Sequence, residues 1–207
     1  WVGAGAVVNA WTSGNNMNTA RQLGGSSGIQ TAALYAGGRQ PDPSTYYDNV
    51  EIYDGSSWTE VADLNTARTE VSSSVSGTST AALVFGGEDG SNDAYDITES
   101  WNGTSWTEVA DLNTGRRAAV GAGTSTAALN VTGYNGSANV VLNESWNGST
   151  WTETTDANTA RRYGNGLGTS TAALIVGGYV PPSAIDNVEQ WNGSSWTEVN
   201  DLNVAKY

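Results

Sequence analysis

Chemistry-bearing side chains are unevenly supplied in this chain, whose 207 residues include no His and no Cys. Thiol nucleophiles, disulfides, Ser-His-Asp triads and Cys/His zinc sets are therefore out of reach. What remains is 21 acidic residues against eight basic ones, with nine Trp and nine Tyr. Asp89, Ser91 and Asp93 in "EDGSND" place oxygens at alternate positions, as calcium loops do. No Glu stands downstream at the spacing of a bidentate ligand, so no metal site is expected there. Paired carboxylates could hydrolyse glycosides, yet no pair stands out beyond those a repeat explains. The expectation is a chain with no catalytic residue and no cofactor.

The acidic balance bears on partners. A net charge of −13 opposes nucleic acid, whose binding depends on Lys and Arg neutralising phosphates. It opposes anionic membranes too, and no stretch approaches the roughly 20 apolar residues of a membrane span.

Regular spacing is the strongest signal. Trp recurs at Trp11, Trp58, Trp106, Trp151 and Trp196, at intervals of 47, 48, 45 and 45 residues. Seven places after each stands an Asn: Asn18, Asn65, Asn113, Asn158 and Asn203. Ten places after stands a cation: Arg21, Arg68, Arg116, Arg161 and Lys206. Seven places before the last four Trp stand Glu51, Glu99, Glu144 and Glu189. This set is either a ring of identical ligand sites or the packing that identical neighbouring units require. Packing is the expectation, with Trp covering apolar area and each Arg paired with a repeat carboxylate. The Asn is expected to hold a turn through bonds to its own backbone.

The units diverge between a glycine pair and the next strand. There they read "RQPDPSTYYDN" (39–49), "EDGSNDAYD" (88–96), "YNGSANVVL" (134–142) and "YVPPSAIDN" (179–187). A constant frame with changing inserts is the mark of a scaffold that presents loops. Tyr46, Tyr47, Tyr95, Tyr134 and Tyr179 lie in these inserts and are the candidate ligand contacts, suited to stacking on sugars or touching a protein. "NGT" and "NGS" at Asn102, Asn147 and Asn192 match glycosylation sequons, but turn chemistry already explains them.

The elements that must position these residues are short strands. In each unit one strand comes after the Arg ("RRAAVGAG"), a second is "TAALVFGG", a third is "VEIYD" or "ITESWN" and a fourth is "SWTEVADL". Asp-Gly or Asn-Gly joins the third to the fourth, as tight hairpins prefer. No helical periodicity extends over ten residues, so the chain is expected to be all-β.

Glycine pair, aromatic strand, Trp and Arg in that order, in units of about 45 residues, resemble the kelch repeat. The resemblance spans essentially the whole chain. It departs where the pair becomes Thr132-Gly133 and where Trp101, Trp146 and Trp191 replace the Tyr of "VEIYD". It implies a β-propeller with strands running outward from a central channel. Some kelch-like propellers are copper oxidases using Tyr, His and Cys; without His or Cys that site does not carry over. Units at about 19–62, 66–110, 114–155 and 159–200 make four blades, and 1–18 with 201–207 make a partial fifth, so five blades are expected.

The functional expectation is a non-catalytic binding or display propeller, extracellular or on a virion, touching glycan or protein through its loops. The alternatives are a structural spacer or decoration protein in a larger, homo-oligomeric or viral assembly, and an intracellular kelch adaptor.

Overall fold

Each repeat folds as an antiparallel meander, because four short apolar-alternating runs are separated by residues that turn. The computed structural model describes residues 14–42, 45–91 and 93–207. Blade 1 comprises β1 (Gly25–Ile29), β2 (Ala32–Ala36), β3 (Val50–Tyr53) and β4 (Trp58–Glu60). Blade 2 comprises β5 (Ser72–Ser73), β6 (Ala82–Phe85), β7 (Thr98–Trp101) and β8 (Trp106–Glu108). Blade 3 comprises β9 (Val120–Thr124), β10 (Ala127–Val131), β11 (Asn143–Trp146) and β12 (Trp151–Glu153). Blade 4 comprises β13 (Asn165–Thr169), β14 (Ala172–Val176), β17 (Val188–Trp191) and β18 (Trp196–Val199). Its β14–β17 connection carries a ribbon of β15 (Tyr179–Val180) and β16 (Ser183–Ala184). No helix occurs among the described residues.

The strands after the Arg, namely β1, β5, β9 and β13, adjoin one another in sequence around the axis. They are the innermost, so the "TAAL" strands β2, β6, β10 and β14 lie second. The hairpin turns share one plan. Oδ1 of Asn102, Asn147 and Asn192 accepts from the N–H groups two and three residues on, and Asp54 does the same.

The core is the set of seams between blades. Leu34, Ala36 and Leu64 of blade 1 pack under Ala82, Val84, Trp101 and Trp106 of blade 2. The same plan joins Leu83, Phe85 and Leu112 to Ala128, Trp146 and Trp151. It returns where Leu129, Val131 and Ala157 meet Ala173, Ile175, Trp191 and Trp196. Consecutive aromatics tilt together in every blade, at 5.2, 5.3, 5.4 and 5.2 Å between ring centroids.

Four blades, not five, are present among the described residues. Residues 1–13, with Trp11, lie outside them. Residues 14–19 and 200–207 add no strand. They take the paths that inter-blade segments take elsewhere: Asn18 Nδ2 donates to the Trp58 carbonyl, as Asn113 does to Trp151. The terminal stretches carry no "TAAL" segment, and a sheet without its second strand has nothing to pair its innermost strand with.

Candidate functional site at the channel mouth

The repeated Arg and Glu meet in every blade. Arg21–Glu51, Arg68–Glu99, Arg116–Glu144 and Arg161–Glu189 pair at 2.5, 2.7, 2.7 and 2.5 Å with no exposed side-chain surface. Burial draws the guanidinium pKa of Arg116 down, and the Glu144 charge opposes that shift. The second oxygen of each Glu accepts the backbone N–H of Asn18, Asn65, Asn113 or Asn158. The Asn side chain thus turns to the Glu and the Trp strand rather than to its own backbone, as in Asn158 with Glu189 and Trp196. A buried carboxylate needs several donors, and this residue stands where it can supply two. Most polar atoms of the set are engaged in joining each blade to the segment that precedes it, Arg68 Nε and Trp196 Nε1 being exceptions.

Different chemistry sits at the start of the innermost strands. The residues two places after each repeated Arg are Leu23, Glu70, Ala118 and Tyr163. Their backbones form a chain around the mouth: Glu70 N–H to Leu23 O, Ala118 N–H to Glu70 O and Tyr163 N–H to Ala118 O, at 2.8, 2.8 and 2.9 Å. All four are left-handed, with φ of 61°, 52°, 50° and 58°. Such backbone costs about 1–2 kcal/mol at a non-glycine residue and gathers where function demands it. Four different side chains are aimed at one opening by the same strained backbone.

Around the mouth the side chains interlock. Tyr163 Oη donates to Glu70 Oε1 at 2.5 Å, spanning blade 4 to blade 2. Arg117 Nη1 lies 3.1 Å from Glu88 and 3.7 Å from Glu70. Its guanidinium stacks 5.1 Å from the Tyr134 ring centre. Arg162 faces three rings, Tyr134, Tyr179 and Tyr163, at 4.9, 5.3 and 5.7 Å. Tyr207 closes the row, 5.2 Å from Tyr179 and 70% exposed. Burial, then the bond to Glu70, holds the Tyr163 hydroxyl well above the ordinary tyrosine pKa. A cavity of about 640 Å³, lined by Leu23, Glu70, Ala118, Tyr163 and Tyr207, reaches all four blades beside this row, a size suited to a small ligand.

The five loop tyrosines do not form one site. Tyr134 and Tyr179 come together through Arg162 at the mouth. Tyr46 packs against Gly90 of the next blade. Tyr47 accepts from Gln40 Nε2 at 2.6 Å. Tyr95 bonds the Asp89 carboxylate, which raises Tyr95 to about 12. Bonds from Ser91, then from Tyr95, lower Asp89 to about 2. The suggested oxygen ladder of 89–93 is thereby turned on its own loop.

Glu70, Glu88, Arg117, Arg162 and Tyr163 were not singled out by sequence reasoning. A signal was available: "RQL", "RTE", "RRA" and "RRY" keep one Arg and vary the next two residues. The basic residues outside the four buried pairs are Arg39, Arg117, Arg162 and Lys206, and two of them, Arg117 and Arg162, stand beside the mouth residues Glu70 and Tyr163.

No family model and no curated protein matches this chain. Its fold does match a solved structure: "Structure of YjhT" aligns with a TM-score of 0.75 at 12% identity, covering 92% of this chain and 68% of that one. That likeness establishes the all-β propeller built of four-stranded blades.

Proposed function

We propose that this chain is a non-catalytic binding propeller, of kelch type, that takes a glycan at its loop-bearing face. The observation that carries the reading is the row Tyr134–Arg162–Tyr179–Tyr207 beside the Glu70/Glu88/Arg117 cluster at the channel mouth. Aromatic faces stack on sugar rings, while carboxylates and guanidiniums bond hydroxyls in fixed directions. Arg117 pairs with both the Glu70 and Glu88 carboxylates, and the Tyr163 hydroxyl donates to Glu70, an arrangement suited to holding a ligand. Acidity and richness in Ser, Thr, Asn and Gly favour an extracellular or virion surface. A protein ligand at the same face is the nearest competitor.

A glycan array, with calorimetry on each hit, tests this. Tyr207→Ala removes an exposed ring and should leave the fold intact while weakening binding by roughly tenfold, about 1.4 kcal/mol. No glycan bound, or binding indifferent to Tyr207 and Tyr134, would refute the reading. A structural spacer or decoration role is the second reading, favoured by the repeated side chains buried at three seams. A chain that binds nothing yet assembles at high order would favour it.

A further inference from the structure

The two sides of blade 4 are treated differently. At three seams, a Leu of the second strand and an apolar residue after the fourth are buried beneath the next blade: Leu34 and Leu64, Leu83 and Leu112, Leu129 and Ala157. Blade 4 carries the equivalents, Leu174 and Leu202, and neither is buried. Leu174 lines a shallow depression of about 340 Å³ with Leu167, Ala172 and Gln190. Leu167 is 56% exposed.

The backbone beside this face is already set for a neighbour. Gly178 N–H donates to the Lys206 carbonyl at 2.7 Å, as Gly38, Gly87 and Gly133 donate to Arg68, Arg116 and Arg161 at 2.8, 2.9 and 2.8 Å. Lys206 N–H returns to Ile185, repeating the bond of Arg116 to Tyr95. Among the described residues, only the side-chain half of the pattern is unmade. Asn203, Val204 and Lys206 are exposed, whereas Arg68, Arg116 and Arg161 are buried against the Glu of the blade they open.

We propose that this uncovered face of blade 4 is a docking surface for one further blade of the same repeat. The occupant is defined by continuity with three existing seams. It presents a small residue, an aliphatic residue and the paired Trp rings to Leu174 and Leu202. It also supplies a carboxylate at the Glu99 position to take Lys206 and the Asn203 amide. A sheet of this pattern covers the apolar area and pairs the Lys206 charge at once.

The test appends a second copy of residues 163–207 after Tyr207, which continues the repeat in register. A control appends the same residues in scrambled order. The intact copy should raise Tm by roughly 5 °C or more and resist proteolysis at the junction, with the chain still monomeric. Leu174→Asp should abolish that gain yet leave the Tm of the unextended chain nearly unchanged. Equal effects of intact and scrambled copies, or clipping after Tyr207, would overturn the proposal. So would an unextended chain that dimerises through this face and becomes monomeric with Leu174→Asp, since the occupant would then be a second copy.

Discussion

Arg116 and Glu144 show how one residue pair can be indispensable without being a site. Both are wholly buried at 2.7 Å, and Arg116 also donates to the Thr132 and Leu142 carbonyls. Removing one partner strands a charge in the interior, so Arg116→Ala should cost about 3–5 kcal/mol in urea unfolding. Changing Arg116 to Met and Glu144 to Leu together should cost much less than the two single changes combined. Backbone demands are equally local. Gly86 has φ 67°, and a Cβ there would stand 2.3 Å from the Arg116 carbonyl oxygen. Gly86→Ala is therefore expected to destabilise by about 2–4 kcal/mol. Thr132, with φ 58° at the equivalent place, bears that strain in the natural chain. The Arg, Glu and glycine positions were legible in sequence because each recurs at fixed spacing. The role of the Asn was not, because its partner Glu lies about 31 residues away.

Between elements, the seams carry the apolar energy. Trp151 is 6% exposed, lies edge-on to Phe85 at 4.9 Å and donates to Thr98 Oγ1 at 3.0 Å. Trp151→Ala should destabilise by about 3–5 kcal/mol. Trp58 occupies the same repeat position but is only half-buried, so Trp58→Ala should cost clearly less by the same thermal or urea measurement. Strand identity was readable from alternation, from "TAAL" and from the Asn-Gly turns. The rank of each strand from the axis was not, because the innermost strands β5 and β9, "SS" and "VGAGT", are short and poor in large apolar residues. Their smallness is what close approach at the axis requires. A Cβ on Gly121 would stand 2.1 Å from the Ser73 carbonyl oxygen.

Across the whole molecule, two contacts bridge blades 2 and 4 over the channel: Tyr163 to Glu70, and Ser76 Oγ to the Gly168 carbonyl. The first depends on a protonated phenol. Burial raises Tyr163, and the Asp89 bond lifts Tyr95 to about 12. Both folded-state values exceed the unfolded value near ~10. Their contribution is thus complete below pH ~10 and is lost as pH climbs through the folded-state values. Stability should fall between about pH 10 and 12 in denaturant titrations, and Tyr163→Phe should flatten that fall.

Composition and period alone determined that the chain is all-β, built of equal blades, acidic, and without thiol or imidazole chemistry. Those properties come from residue type and from spacing along the chain, which local physics reads directly. Tertiary structure decided the rest: that four blades are present among the described residues, that Tyr134 and Tyr179 share one arginine while Tyr46, Tyr47 and Tyr95 do not, and that Glu70 faces Tyr163 across the mouth. Residues 93 positions apart become neighbours only when curvature of the ring sums over several seams, and no window of sequence contains that sum.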